Sequence, residues 1–162
     1  MESETPSSIV KSYLEDIGVK FKVHSHPAVY TCEEADKYCS SIPGIHSKNL
    51  LIKGKKTGKF YMAIIPDYKK LDLKSLKARL GDEFKFASGD DLEAILGIKT
   101  GAVSPFNLIN DREARVGLLV DKEVLGSEFV SFHPNDNTET LELTNSDFKK
   151  YLASLKNKIE EI

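Results

Sequence analysis

Residues 44–52 read Gly-Ile-His-Ser-Lys-Asn-Leu-Leu-Ile, and the expected architecture follows from this segment. The glycine interrupts the chain, small or polar residues follow it, and the apolar run 50–52 is typical of a buried strand. Lys48 is therefore expected at the start of a strand that the core holds in place. Because lysine is rarely buried without a partner, Lys48 is either a strand-end side chain that keeps its amine in water or part of a polar site.

Length and composition indicate one globular domain covering residues 1–162. The 162 residues are 40% hydrophobic and 30% charged, which is enough chain and apolar content for a substantial core. No apolar run is long enough to cross a bilayer, and the N-terminal segment lacks the apolar core of a secretory signal, so we expect a cytoplasmic protein without a membrane partner. The net charge of −2 argues against indiscriminate nucleic-acid binding, although it allows a local basic patch.

The segments around residues 44–52 predict a mixed sheet. Residues 49–54 and 59–65 form a predicted β-hairpin whose tip, residues 55–58, is basic. Strands and helices alternate along the chain, but several connections between strands are hairpin-short. We therefore predict an α+β fold with a mixed, mostly antiparallel sheet surrounded by helices.

Capping boxes predict where two of the helices begin. Ser88 with Asp91 and Thr144 with Asp147 have the spacing at which the two residues satisfy each other's backbone N–H groups. The apolar periodicity after Thr144 extends the last predicted helix as far as Ile159.

The two cysteines do not indicate a metal site. Cys32 and Cys39 lie on a predicted helix over residues 31–40, where a pair of free thiols is the simpler interpretation and a disulfide is the alternative. No histidine stands close enough in sequence to complete a zinc pattern.

Three polar loops at the ends of apolar elements could meet at one pocket: residues 44–49, 101–105 and 133–140. In the loop 101–105, a glycine, small side chains and a closing proline can leave backbone N–H groups facing a ligand carbonyl, although the same composition suits a connecting turn. His133 is either a structural group or a proton carrier near neutral pH. Because there is no nucleophile elbow, P-loop or dinucleotide fingerprint, the reaction type does not follow from the residues alone.

The same three loops resemble the YbaK/ProX family of trans-acting aminoacyl-tRNA deacylases, which are related to the editing domain of bacterial prolyl-tRNA synthetases. The resemblance extends from about Val19 to Leu152. GIHSKNLLIK carries the family lysine, here Lys48, and GAVSP matches the family element G-x-x-x-P at Gly101 and Pro105. FHPNDNTETL and SPFNLIND look like the branch that removes alanine from tRNA(Pro).

The resemblance implies a trans-editing hydrolase in which water attacks the aminoacyl ester of mischarged tRNA(Pro), without a metal or an organic cofactor. It implies catalytic roles for Lys48, Gly101 and His133. Its implied substrate-binding residues are Ile45, His46, Asn49, Ala102, Val103, Ser104 and Pro105, and its implied tRNA-binding residues are Lys53, Lys55, Lys56 and Lys59. The implied partners are the acceptor end of tRNA(Pro) and prolyl-tRNA synthetase. Two alternatives stay open: a deacylase for cysteine or serine, and a non-catalytic module that binds tRNA or a synthetase.

Overall fold

The computed structural model describes residues 5–28, 42–99, 102–136 and 138–162. The predicted helix over residues 31–40, with its two cysteines, lies outside these ranges, and so does Gly101. No helix in the described ranges is long and apolar enough to cross a membrane.

Helices and strands alternate along the described chain. The helices are α1 Pro6–Asp16, α2 Leu73–Leu80, α3 Gly89–Leu96, α4 Lys122–Leu125 and α5 Asn145–Ser154, with a 3-10 helix at Pro105–Asn110. The strands are β1 Lys22–Ser25, β2 Ser47–Gly54, β3 Phe60–Pro66, β4 Phe84–Phe86, β5 Val116–Val120, β6 Phe129–Phe132, β7 Glu139–Thr144 and β8 Ile159–Glu161.

The strands form two sheets instead of the one that the sequence predicts. One sheet has the order β4-β2-β3-β5-β8, and the other has the order β1-β7-β6. The β3–β5 and β5–β8 pairs are parallel, and the other strand pairs are antiparallel. The predicted α+β class with mixed, mostly antiparallel pairing is confirmed, while the β6–β7 hairpin pairs with β1 and so forms a sheet of its own.

Gly44 allows the segment before β2 to join the two sheets. The Ile45 N–H donates to the Phe129 carbonyl at 3.2 Å, and Ile45 forms an isolated bridge with Val130 of β6. Gly44 has a φ of +102°, and a Cβ built on it would lie 2.3 Å from the Phe129 carbonyl oxygen. Only glycine combines this backbone conformation with so close an approach.

The predicted helix starts are confirmed, but the predicted end of the last helix is wrong. Ser88 accepts a hydrogen bond from the Asp91 N–H, and Thr144 caps α5 in the same way. The helix α5 ends at Ser154, and Ile159 begins strand β8, which pairs in parallel with β5. Between them, the buried Asn157 side chain donates to the Val116 carbonyl at 2.8 Å.

Both faces of the large sheet are covered, which fixes the side of β2 on which each side chain lies. Leu51 belongs to the main apolar core, and Ile52 belongs to a second cluster with Leu76 of α2. Successive side chains of β2 therefore enter different environments, as the period of two along a strand requires.

Candidate active site

Lys48 is the second residue of β2, and the antiparallel register pairs it with Ile65 of β3. Because directly opposed residues share a face of the sheet, Lys48 leaves the strand on the side of Ile65. Ile65 lines a cavity of about 280 Å³ beside α2. Lys48 is partly exposed, and no carboxylate in the described part of the chain forms an ion pair with it. The lysine is thus a cation at a strand start, and its catalytic role stays a prediction.

Asn49, the next residue, makes the contact between β2 and the second predicted loop. It is paired with Ile64 and points to the face of the main core. Its Nδ2 donates to the Val103 carbonyl at 3.2 Å. Its Oδ1 is buried and has no hydrogen-bond partner among the described residues. The structure therefore brings the first two predicted loops together through Asn49, whereas no described hydrogen bond joins Lys48 to residues 102–105.

Each backbone carbonyl of the segment 102–105 accepts a hydrogen bond. A segment held in this way cannot shift without breaking several hydrogen bonds, so its backbone is restrained. The bonds are Asn107 Nδ2 to Ala102 O at 3.2 Å, Asn49 Nδ2 to Val103 O at 3.2 Å, Asn107 N to Ser104 O at 2.9 Å and Tyr151 Oη to Pro105 O at 2.7 Å.

Two of the three backbone N–H groups of this segment are engaged as well. The Ala102 N–H donates to the Lys99 carbonyl at 3.2 Å, and the Ser104 N–H donates to Asn107 Oδ1 at 2.6 Å. The closing proline has no N–H. Within the described ranges, the Val103 N–H is left without an acceptor. A ligand oxygen at this segment would therefore find its backbone donor at Val103.

His133 lies in the third predicted loop as a partly buried, neutral base. Its Nδ1 is 3.0 Å from the Glu139 carbonyl, which can only accept a hydrogen bond, so Nδ1 carries the proton and Nε2 carries the lone pair. Burial lowers the pKa of His133 below its ordinary value, and the nearby His26 imidazole acts in the same direction. The imidazole is therefore neutral at pH 7, with Nε2 able to accept a proton or a hydrogen bond.

Two further histidines, His24 and His26, lie at the end of β1 or directly after it, and their side chains contact residues of β7. His24 Nε2 is 2.9 Å from a Glu142 carboxylate oxygen, and His26 Nε2 is 2.8 Å from the Thr140 hydroxyl. The His26 and His133 rings meet edge to face with centroids 6.0 Å apart. In the described ranges, no three histidine, cysteine or carboxylate side chains are grouped as metal ligands.

Asn107 connects the second and third predicted loops. Its Nδ2 donates to Asn135 Oδ1 as well as to the Ala102 carbonyl. Asn135 stands two residues after His133 and has a φ of +59°, a left-handed conformation that asparagine tolerates better than most residues. Hydrogen bonds therefore connect the three loops predicted to converge. Asn49 connects the first loop to the second, and Asn107 connects the second to the third.

Ile45 and His46 lie at the entrance to β2. Ile45, Ala102 and Val103 are partly buried, and each packs against the main core. His46 Nε2 is 3.2 Å from the Ile42 carbonyl, a contact within its own loop. No described contact links the His46 side chain to residues 102–105 or 133–136, so its predicted substrate contact stays a prediction.

The predicted tRNA-binding lysines lie at the other end of β2. Lys55 follows Lys48 by seven residues, about 23 Å along an extended strand. Lys53 lies 3.8 Å from an Asp91 oxygen, and Lys55 lies 4.0 Å from a Glu83 oxygen. The Lys55 pair is exposed and the Lys53 pair is partly exposed. Pairs in contact with water contribute little to stability, so these amines can exchange a carboxylate for a phosphate.

Lys56 and Lys59, the other two predicted tRNA-binding residues, are exposed. The hairpin tip is ordered by the buried Asp82 carboxylate, which accepts hydrogen bonds from the Lys56 and Thr57 N–H groups at 3.0 Å each. The Thr57 hydroxyl and these N–H groups lower the pKa of Asp82.

Sequence reasoning missed Asn107, Asn135 and Tyr151. A local signal existed for Asn107, because Ser104 and Asn107 are three residues apart and form a reciprocal cap at the start of the 3-10 helix. Tyr151 is fully buried, and its bond to the Pro105 carbonyl spans 46 residues, so no local pattern could reveal it.

The comparisons with known proteins cover most of the chain. The sequence model of the aminoacyl-tRNA editing domain matches residues 26–151. Prolyl-tRNA editing protein ProX of Acetoanaerobium sticklandii is 31% identical over 163 aligned positions, which cover 100% of this chain and 99% of that protein. Prolyl-tRNA synthetase associated domain-containing protein 1 of Mus musculus is 30% identical, with 82% of this chain and 80% of that protein covered.

Solved structures show the same fold. The hypothetical protein APE2540 superposes with a TM-score of 0.75 at 19% identity, covering 94% of this chain and 97% of that one. A candidate trans-editing enzyme for prolyl tRNA synthetase also gives a TM-score of 0.75, at 22% identity, covering 99% of this chain and 98% of that one. The predicted enzyme class, an aminoacyl-tRNA deacylase, agrees with the matches to the family model and to ProX. The chain belongs to the aminoacyl-tRNA editing domain family.

Proposed function

We propose that this protein is a trans-editing hydrolase that removes alanine from mischarged tRNA(Pro). The observation that carries the proposal is the end-to-end match, at 31% identity, to a prolyl-tRNA editing protein. The arrangement of polar groups at residues 49, 102–105 and 133 supports it, since it offers what hydrolysis of an ester requires.

In the proposed reaction, water attacks the ester carbonyl that joins alanine to the terminal ribose. The carbon–oxygen bond to the ribose then breaks, which releases alanine and a tRNA with a free hydroxyl. The carbonyl oxygen becomes negative in between, and a fixed backbone donor lowers the energy of that state. The Val103 N–H supplies such a donor, and the Gly101 N–H is its proposed companion.

Asn49 is proposed to hold a hydrogen-bond donor of the substrate. Buried polar atoms in proteins are nearly always paired, so the Oδ1 of Asn49, which has no partner among the described residues, calls for an explanation. The α-ammonium group of alanine and the ribose hydroxyls are the donors that the substrate brings to this place.

His133 and Lys48 take the polar roles on either side. His133 Nε2 accepts a proton or hydrogen bond from the attacking water or from the ribose, since its imidazole is neutral. Lys48 binds a phosphate or sugar oxygen of the terminal nucleotide through its charge. The hairpin lysines 53, 55, 56 and 59 bind phosphates farther along the acceptor arm.

Selection by size is proposed to separate alanine from proline. A synthetase pocket that accepts proline cannot strongly reject the smaller alanine, because the missing contacts are worth only about 1–3 kcal/mol. A second, smaller site solves this problem by hydrolysing what fits. Here Ile45, Ala102, Val103 and Ser104 form the proposed wall, and prolyl-tRNA synthetase, which makes the mischarged substrate, is the proposed partner.

The test is deacylation of tRNA(Pro) charged separately with alanine, proline, cysteine and serine. We expect prompt loss of alanine and retention of proline. A Lys48→Ala variant should lose most of the activity, and the matched Lys48→Arg variant, which keeps the charge, should retain part of it. If cysteine or serine is released while alanine stays attached, that amino acid replaces alanine as the proposed substrate. Binding of charged tRNA without any hydrolysis would favour a non-catalytic module.

A further inference from the structure

Both the nitrogen and the oxygen of the Asn107 side-chain amide are hydrogen-bonded within the protein. None of these bonds is to a proposed reacting group. It is fully buried. Both hydrogens of Nδ2 are donated, one to the Ala102 carbonyl and one to Asn135 Oδ1, while Oδ1 accepts from the Ser104 N–H at 2.6 Å. The reverse orientation of the amide would set an oxygen against two acceptors, so the hydrogen bonds define a single orientation.

The bond between Asn107 and Asn135 connects two loops of the proposed site. On one side, Asn107 holds residues 102–104, a segment in which the Val103 N–H has no acceptor among the described residues. On the other side, Asn135 belongs to the loop that carries His133, whose Nδ1 is fixed by the Glu139 carbonyl. The pair therefore sets the position of a backbone donor relative to that of a base on a different loop.

We propose that the Asn107–Asn135 pair acts as a positioning element, which holds the segment 102–105 at a fixed distance from His133 during ester hydrolysis. The inference rests on the proposed function and adds two residues to it. Neither side chain is placed in contact with substrate. Because misplacement of reacting groups by about 1 Å can cost about 100-fold in rate, loss of the pair should lower the rate of the chemical step and leave substrate affinity unchanged.

Asn135 offers the cleaner variant, since it is partly exposed whereas Asn107 is fully buried. Asn135→Gly removes the acceptor oxygen, and glycine is at ease with a φ of +59°. Asn135→Asp keeps an acceptor oxygen and also tolerates this conformation. The control is Asn110→Ala, which removes a comparable bond from the same 3-10 helix, from Asn110 Nδ2 to the Leu96 carbonyl at 3.0 Å.

The experiment measures single-turnover deacylation of alanine-charged tRNA(Pro) against enzyme concentration, together with Tm and the exchange rate of the Ser104 amide proton by NMR. For Asn135→Gly we expect a maximal rate about 10- to 100-fold lower. Its half-saturating concentration should stay within about twofold and its Tm within a few degrees of the parent's, and its Ser104 amide should exchange faster. Asn135→Asp should recover most of the rate, and Asn110→Ala should keep all of it.

The outcomes separate the positioning proposal from the proposed function. A parental maximal rate in Asn135→Gly, or a lower Tm with unchanged rate, overturns the positioning role and leaves the deacylase intact. A rate loss that Asn135→Asp does not reverse overturns it as well. If the parent protein deacylates none of the charged tRNAs, the proposed function fails and the positioning role fails with it.

Discussion

Replacing Asn49 by leucine should stabilise the fold or leave it unchanged while slowing deacylation. Leucine has nearly the same shape as asparagine. Position 49 faces the main core, on the same side of β2 as Leu51 and opposite Ile64. The exchange removes the donor to the Val103 carbonyl, which costs about 1–2 kcal/mol because that carbonyl is then unpaired. It also removes the buried Oδ1, which has no partner in the described part of the chain. This removal is a gain of about 1–3 kcal/mol, and leucine adds apolar contact.

The balance is a free energy of unfolding higher by about 0–2 kcal/mol. For a chain of this size, each kcal/mol shifts Tm by about 2–4 °C, so Tm should rise by about 0–8 °C. A hydrogen bond to a charged group is worth about 1.5–3 kcal/mol. Loss of a bond from the α-ammonium group, the charged one of the proposed donors to Asn49, should therefore slow deacylation by about 10- to 150-fold.

The matched variant Asn49→Asp should have the opposite effects on stability and activity relative to Asn49→Leu. It keeps an oxygen for the substrate donor but sets a carboxylate against the Val103 carbonyl, so we expect lower Tm and more residual activity than in Asn49→Leu. Thermal unfolding and single-turnover deacylation measure the two properties on the same preparations. If Asn49→Leu unfolds several degrees below the parent and still deacylates at the parental rate, the unpaired oxygen does not bind substrate.

Three further changes test other parts of the structure. Because the pKa of His133 is lowered in the folded state, its stability contribution is complete above the ordinary histidine pKa of about 6.5. Below that pH the unfolded chain binds the proton first, so the free energy of unfolding falls as pH decreases toward the folded-state pKa. In urea titrations from pH 8 to 5, His133→Asn should lose this part of the decline, and parallel curves for parent and variant would contradict the assignment. The double variant Lys55→Ala/Lys56→Ala should weaken tRNA binding and reduce the slope of log Kd against log salt by about one for each phosphate that is no longer bound, whereas an unchanged slope would remove these lysines from the interface. Gly44→Ala places a Cβ 2.3 Å from the Phe129 carbonyl oxygen at a φ of +102°, so its free energy of unfolding should fall by about 3 kcal/mol in urea, and a loss below about 1 kcal/mol would show that the loop can move away.

Local signals in the sequence predicted the local structure well. The bonds that cap a helix join residues three positions apart, so Ser88 with Asp91 and Thr144 with Asp147 could be identified from spacing alone. Ile159 could not be placed in this way. Its strand pairs with β5, about 40 residues earlier in the chain, and helical spacing carries no information about such a partner.

The connection of the three polar loops was predictable to a similar degree, while the roles of their residues stay predictions. Loop composition identified residues 44–49, 101–105 and 133–140, and described hydrogen bonds join all three loops. The prediction gave the main role on β2 to Lys48, whereas Asn49 makes the described contact with Val103, because alternation along a strand sends neighbouring side chains to opposite faces. The tyrosine beneath Pro105 depends on tertiary packing, which no local pattern of residues encodes.

The fully bonded carbonyls of residues 102–105 have a consequence for how substrate preference can change over evolution. Enlarging or shrinking a wall side chain alters the space available, but the main chain behind it has little freedom to yield. A stiff frame of this kind favours sharp discrimination and resists gradual broadening. Relatives with a broader substrate range should therefore differ first at the positions that anchor this segment, here Asn49, Asn107 and Tyr151. Differences in the side chains of the wall should come later.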